Sequence, residues 1–183
     1  MSLFSPSPKR SDTNALTASH PAPEAGTVMG RKVPVLDFLY QLKKGETIHF
    51  VTEGKWSSHE MLSRLLEITG AASVRISTYS MTEDPARMLV NYLHTGQISD
   101  LKVITDKRFR GQQGAAHQLA SANFPVILSD VHAKVMVIRN ADWNVVVLGS
   151  ANFTRNKRTE SGVVIENRTA AEFHWNWIDG KAS

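Results

Sequence analysis

The stretch that decides the fold runs from His132 to Glu160, HAKVMVIRNADWNVVVLGSANFTRNKRTE. Two apolar runs in it are split by Asn140-Ala141-Asp142, a turn-forming triplet, so the whole reads as a β-hairpin. His132 and Lys134 open the first arm two residues apart, and both side chains leave the same face of a strand. Gly149-Ser150-Ala151-Asn152 closes the second arm, where Ser150 and Asn152 share a face in the same way. Antiparallel pairing sets the start of one arm beside the end of the other. An imidazole, an ammonium, a hydroxyl and a carboxamide then converge at one end of a sheet. That set can hold a phosphate and attack it.

Upstream of the hairpin, strands alternate with helices. Residues 47–52 read as a strand, and Ser57 or Ser58 caps a helix through Ile68 whose Met61, Leu62, Leu65 and Leu66 form an apolar stripe. Strands follow over 73–79 and 101–105, a helix over 84–94 with Pro85 in its first turn, a helix over 115–122 and a short strand over 125–128. Downstream, 161–166 is a strand, and Thr169 with Glu172 makes a capping box for a last helix carrying Phe173, Trp175 and Trp177. Those aromatics are expected to pack on the sheet. This alternation predicts an α/β fold: a mixed, mostly parallel β-sheet flanked by helices. Residues 1–30, rich in Ser, Pro, Ala and Thr without hydrophobic period, read as a disordered N-terminal tail. Residues 31–183 form the domain, starting with a short helix over 33–42.

The 183 residues suit one domain with a sizeable core, and 42% hydrophobic with 21% charged residues is ordinary for a globular chain. With no cysteine, disulfides, thiolate metal sites and cysteine nucleophiles are excluded. A formal charge of +4 and pI near 9.5 lean towards polyanionic partners. The first ten residues lack the apolar core of a secretory signal, and no apolar run approaches the roughly 20 residues of a membrane span. A cytoplasmic protein without a membrane partner is the expectation.

His132-x-Lys134, a hairpin, Gly149-Ser150-x-Asn152 and then Glu160 resemble the signature of the phospholipase D superfamily, and more narrowly its small single-motif bacterial endonucleases. The likeness extends over roughly 70–180. It implies that His132 attacks phosphorus as a neutral imidazole, giving a phosphohistidine that water hydrolyses. It further implies that Lys134 neutralises phosphate oxygens, that Ser150 and Asn152 donate to charge building in the transition state, and that Glu160 orients the imidazole. No metal or cofactor is implied. The leaving oxygen needs a proton, supplied in this family by a second motif histidine. A chain with one motif must borrow it from another copy, so the resemblance implies a homodimer with a shared active site. His49, His59, His94, His117 and His174 lack a matching motif.

One departure stands out. The family pattern places an aspartate five residues after the lysine, where this chain has Arg139; Asp142 keeps the distance to Gly149 and is expected to take the turn role in a longer hairpin. Two basic clusters are candidate nucleic-acid contacts: Lys107, Arg108 and Arg110, and Arg155, Lys157 and Arg158. The expected function is a metal-independent phosphodiesterase acting on DNA or RNA with low sequence specificity. The alternatives are a non-catalytic nucleic-acid-binding or scaffolding module, and a phospholipid phosphodiesterase.

Overall fold

The computed structural model describes residues 39–40, 42–155 and 157–181. The expected tail, and most of the helix expected over 33–42, lie outside those residues. Seven strands, β1 (Thr47–Val51), β2 (Ala72–Thr78), β3 (Ile98–Asp106), β4 (Val126–Ser129), β5 (Val135–Arg139), β6 (Asn144–Gly149) and β7 (Ser161–Glu166), form one sheet in the order β1-β7-β6-β5-β2-β3-β4. Five helices flank it: α1 (Ser58–Thr69), α2 (Glu83–His94), α3 (Phe109–Gln112), α4 (Gly114–Asn123) and α5 (Arg168–Asp179).

The mixed α/β sheet expected from the sequence is present, but its parallel part is smaller than expected. Only β2–β3 and β3–β4 pair in parallel; β1–β7, β7–β6, β6–β5 and β5–β2 are antiparallel. The reason is the hairpin. Together with β7 it forms a meander that inserts between β1 and β2, so β1 joins the far edge instead of lying beside the strand it leads into through α1.

Alternation along the strands divides the core between two faces. Met136, Ile138, Val145 and Val147 point to the face covered by α1, α2 and α4, where Leu62, Leu65, Leu89 and Ala120 are fully buried. Val137 and Val146 point to the other face, where α5 lays down Ala171 and Ile178. Trp175 stacks under the Arg75 guanidinium at 4.0 Å, and Arg75 Nε donates to Asp179 at 2.6 Å, fixing the C-terminal turn of α5 to the sheet. Phe173 and Trp177 stay half-buried, so the helix packs on the sheet through a narrower face than its aromatics alone indicate.

The capping box expected at Thr169 does not form. The ladder runs through Glu166, and Asn167 N still donates to Asn144 O at 3.0 Å, so Asn167 is the first residue free to cap. Its side chain accepts from Ala170 N at 3.0 Å, while Glu172 pairs with Arg168 at 2.9 Å. Asp142 likewise does not organise the hairpin turn. Asn140 does, its Oδ1 accepting from Asp142 N and Trp143 N while its Nδ2 donates to Thr69 O at 2.8 Å. Arg139 faces α5, donating to Asn144 at 3.2 Å and lying 5.2 Å from the Trp175 ring.

Candidate active site

Strands β2, β3, β4, β6 and β1 end at one edge of the sheet, and β5 and β7 begin there. His132, Lys134, Ser150, Asn152 and Glu160 collect on that edge. It is also where β2 has a parallel neighbour on one side and an antiparallel one on the other, a crevice at the carboxyl ends of parallel strands where ligands enter open sheets.

His132 and Lys134 immediately precede β5 and are brought together. Lys134 Nζ donates to the His132 carbonyl at 2.7 Å and stands 3.3 and 3.5 Å from the two ring nitrogens. An ammonium and an imidazole this close together can face the same phosphate. The stem of Lys134 runs into a crevice with Phe50, Val147 and Phe153. That burial pushes the ammonium below the ordinary lysine range, opposed in part by the Glu160 carboxylate. His132 itself is exposed, with its ring tilted 56° against Tyr79 at 5.1 Å.

The second arm supplies Asn152 and Ser150. Asn152 Oδ1 accepts from Tyr79 N at 3.2 Å and from Thr78 Oγ1 at 3.4 Å, tying the loop after β6 to the end of β2. With the oxygen so engaged, the amide nitrogen is the group left to donate to a ligand. Ser150 Oγ donates to Glu160 Oε2 and accepts from Ser161 N at 3.1 Å. Ser150 thus ties Glu160 to the end of β6. Gly149 and Gly162 are register partners; a side chain is crowded at the first and has no room at the second. A Cβ on Gly149 would stand 3.0 Å from Ser161 O, and one on Gly162 only 2.2 Å from Leu148 O.

Three residues of this edge were not singled out as site residues: Thr52, Tyr79 and Asp106. Thr78 and Thr105 are register partners on β2 and β3, which sets Tyr79 beside Asp106. Arg108 Nε donates to Asp106 at 2.7 Å, and its guanidinium lies 4.8 Å from the Tyr79 ring. The Arg108 hydrogen bonds hold the Asp106 carboxyl below the usual carboxylate range, and His132 adds to the effect. Lys107 is paired with Asp130 at 2.7 Å, and Arg110 is exposed on α3. Arg155, Lys157 and Arg158 are exposed on the loop between Asn152 and Glu160. Among the other histidines, His59 is buried against Ser57 Oγ at 2.8 Å, His174 accepts from the Trp177 indole at 3.0 Å, and His94 ends α2 at the opposite edge. Among the described residues no group of three or more His, Asp or Glu side chains is placed to hold a metal ion, and no helix is long and apolar enough to cross a membrane.

No curated protein matches the chain. Among solved structures, the polyphosphate kinase from Porphyromonas gingivalis superposes with a TM-score of 0.54 at 16% identity, over 75% of this chain and 26% of its own. NucT from Helicobacter pylori superposes with a TM-score of 0.52 at 19% identity, over 73% of this chain and 93% of its own. At these identities the likeness is one of fold, and the chain spans about a quarter of the kinase and nearly all of NucT. The family model described as "Cardiolipin synthase, PLD-like domain" matches residues 62–180, a segment that holds β2 to β7, the His132–Lys134 pair and the Asn152 loop. The chain belongs to the family of PLD-like domains.

Proposed function

We propose that the protein is a phosphodiester hydrolase acting on nucleic acid, with His132 as nucleophile and a second copy of the chain completing the site. The observation that carries this reading is the placement of the Lys134 ammonium against both the His132 ring and its carbonyl, with the Asn152 amide on the neighbouring loop. An unprotonated His132 nitrogen attacks phosphorus, and the bond from phosphorus to the leaving oxygen breaks. That oxygen takes a proton from the imidazolium of the partner copy's matching histidine. Water then attacks the phosphohistidine, giving a proton back to the partner copy's now neutral histidine, the P–N bond breaks, and a phosphate monoester departs. Lys134 and Asn152 stabilise the charge on the non-bridging oxygens, and Glu160, held by Ser150, orients the imidazole. Nucleic acid is preferred over lipid because Arg155, Lys157 and Arg158 border this edge.

An open groove of about 810 Å³ is lined by Val131 and Ala133, the two chain neighbours of His132, with Phe173, His174 and Trp177. It is the surface a dimer would bury to bring two copies of His132 together. The test is hydrolysis of bis(p-nitrophenyl) phosphate and of a labelled oligonucleotide in EDTA. Wild type cleaves both as a dimer by light scattering, His132→Ala cleaves neither, and Trp177→Asp is monomeric and inactive. Cleavage by His132→Ala refutes the nucleophile, and a strict monomer that still cleaves refutes the shared site.

A further inference from the structure

The turn after β1 is held in unusual geometry. Glu53 has φ +48° and Gly54 φ +71°. A left-handed residue other than glycine costs about 1–2 kcal/mol and persists where its surroundings over-determine it. Here they do. Thr52, 1% exposed, accepts at Oγ1 from Gly54 N at 3.2 Å and Glu160 N at 3.0 Å, and donates to Arg158 O at 3.4 Å. Its backbone N–H donates to Glu160 O at 2.8 Å. Gly54 lies so close to the other strand of the contact that a Cβ there would stand 2.3 Å from Lys157 O. The turn after β1 and the loop after Asn152 are therefore held together, although the bonded residues lie 106 and 108 positions apart in the sequence.

Together they enclose an open groove of about 360 Å³, lined by Gly54, Lys55, Trp56, Glu60, Arg155 and Lys157. Glu60 is occupied, accepting from Ser57 N and Ser57 Oγ at 2.8 Å each. Glu53 lies 3.5 Å from Lys55 Nζ, but both side chains are more than half exposed and such a pair contributes little. Neither Arg155 nor Lys157 pairs with a carboxylate among the described residues. The groove neighbours the site in the chain: Ser58 and Ala151, joined by a 3.1 Å bond from Ser58 Oγ to Ala151 O, line the crevice of Lys134, and Arg155 follows Asn152 by three residues. Locking cations side by side works against stability unless an anion takes them up.

We infer that this groove binds backbone phosphates of a nucleic-acid strand to one side of the scissile bond, with Lys55, Arg155 and Lys157 as the phosphate contacts. The inference rests on the hydrolase reading above and adds the flanking strand path to it. Trp56 is 9% exposed and packed on Phe50 at 5.1 Å, so its indole face is turned away from the groove into the core. The contacts are to phosphate and carry no sequence preference.

The experiment measures binding of a 12-nucleotide single-stranded phosphorothioate oligonucleotide by fluorescence anisotropy across a salt series. Lys55→Ala raises Kd about three- to tenfold at low salt and makes the slope of log K against log salt shallower by about 0.7, one single-strand phosphate contact. Lys55→Arg restores both. Lys43→Ala, which removes the same charge ahead of β1 at the opposite edge, stays within twofold of wild type. Equal effects of Lys55→Ala and Lys43→Ala overturn the groove while leaving the hydrolase reading standing. A wild type that neither binds the oligonucleotide nor cleaves the unmodified one overturns both.

Discussion

Replacing Thr52 by valine tests whether the turn after β1 positions Glu160. The two side chains have the same shape, so no cavity opens, but the hydroxyl does not survive the change. Gly54 N and Glu160 N both lose the acceptor that Thr52 Oγ1 provides at 3.2 and 3.0 Å. A buried donor stranded in this way costs about 1–3 kcal/mol. Two of them, with some access for water at the exposed turn, sum to about 2–4 kcal/mol. At roughly 3 °C per kcal/mol for a domain of this size, Tm falls by about 6–12 °C. The loss is not only one of stability. Glu160 N is one of two bonds by which Thr52 holds that residue, the other being Thr52 N to Glu160 O at 2.8 Å. With one gone, the carboxylate shifts from its place beside Ser150, and kcat on a phosphodiester falls at least tenfold with KM less affected. Thr52→Ser keeps the hydroxyl and recovers most of both. Scanning fluorimetry and steady-state kinetics on the three proteins suffice. A Thr52→Val protein melting within 2 °C of wild type refutes the hydrogen-bond reasoning. One that is destabilised yet retains full kcat refutes the positioning of Glu160.

Burial holds the Lys134 pKa below its unfolded value, so the ammonium is a stability cost at neutral pH, relieved only as pH rises through the folded value towards the unfolded value of about 10.4. Lys134→Met accordingly abolishes hydrolysis while Tm is unchanged or raised, and a clear drop in Tm contradicts that sign. His59 and His174 are both lowered by burial. The unfolded chain takes up these protons near pH 6.5 and the folded one only further down, so stability present above pH 6.5 is lost as pH falls. Around His59, Glu60 and Asp84 oppose the lowering and Arg155 adds to it. Denaturant titrations between pH 7 and 5 should show a shallower loss for His59→Gln, and shallower again with His174→Gln; parallel curves would exclude these groups as the source.

Much of the fold was legible because each strand of the hairpin carries an unbroken apolar run and α1 a clear apolar stripe, whereas the four-residue α3 carries no such signal. Strand order was not, since β1-α1-β2 has the pattern of a parallel unit whether or not another strand lies between its members. The cap of α5 was misread for a related reason. Thr169 and Glu172 satisfy the local rule, but β7 ends one residue before Asn167, and where a ladder stops depends on its partner. In the site, His132, Lys134, Ser150, Asn152 and Glu160 were visible together because they lie within one stretch of chain. Thr52, Tyr79 and Asp106 reach the same edge from the ends of three other strands. Nothing local marks a threonine as a hub or an aspartate as an arginine's anchor; only the register of β2 on β3, and the pairing of β1 with β7, brings them there.

The hairpin turn at Asn140 lies at the edge away from His132, and this bears on how such chains are detected. What aligns the two halves of the signature is the pairing of Val135 with Leu148, which stays the same however far the arms extend beyond it. Residues added around Asn140 lengthen the arms at the end where no chemistry takes place. The number of residues between His-x-Lys and Gly-Ser-x-Asn is therefore a free variable, and a search pattern with a fixed gap there would pass over working sites. A pattern that fixes each half and lets the gap vary follows the physics.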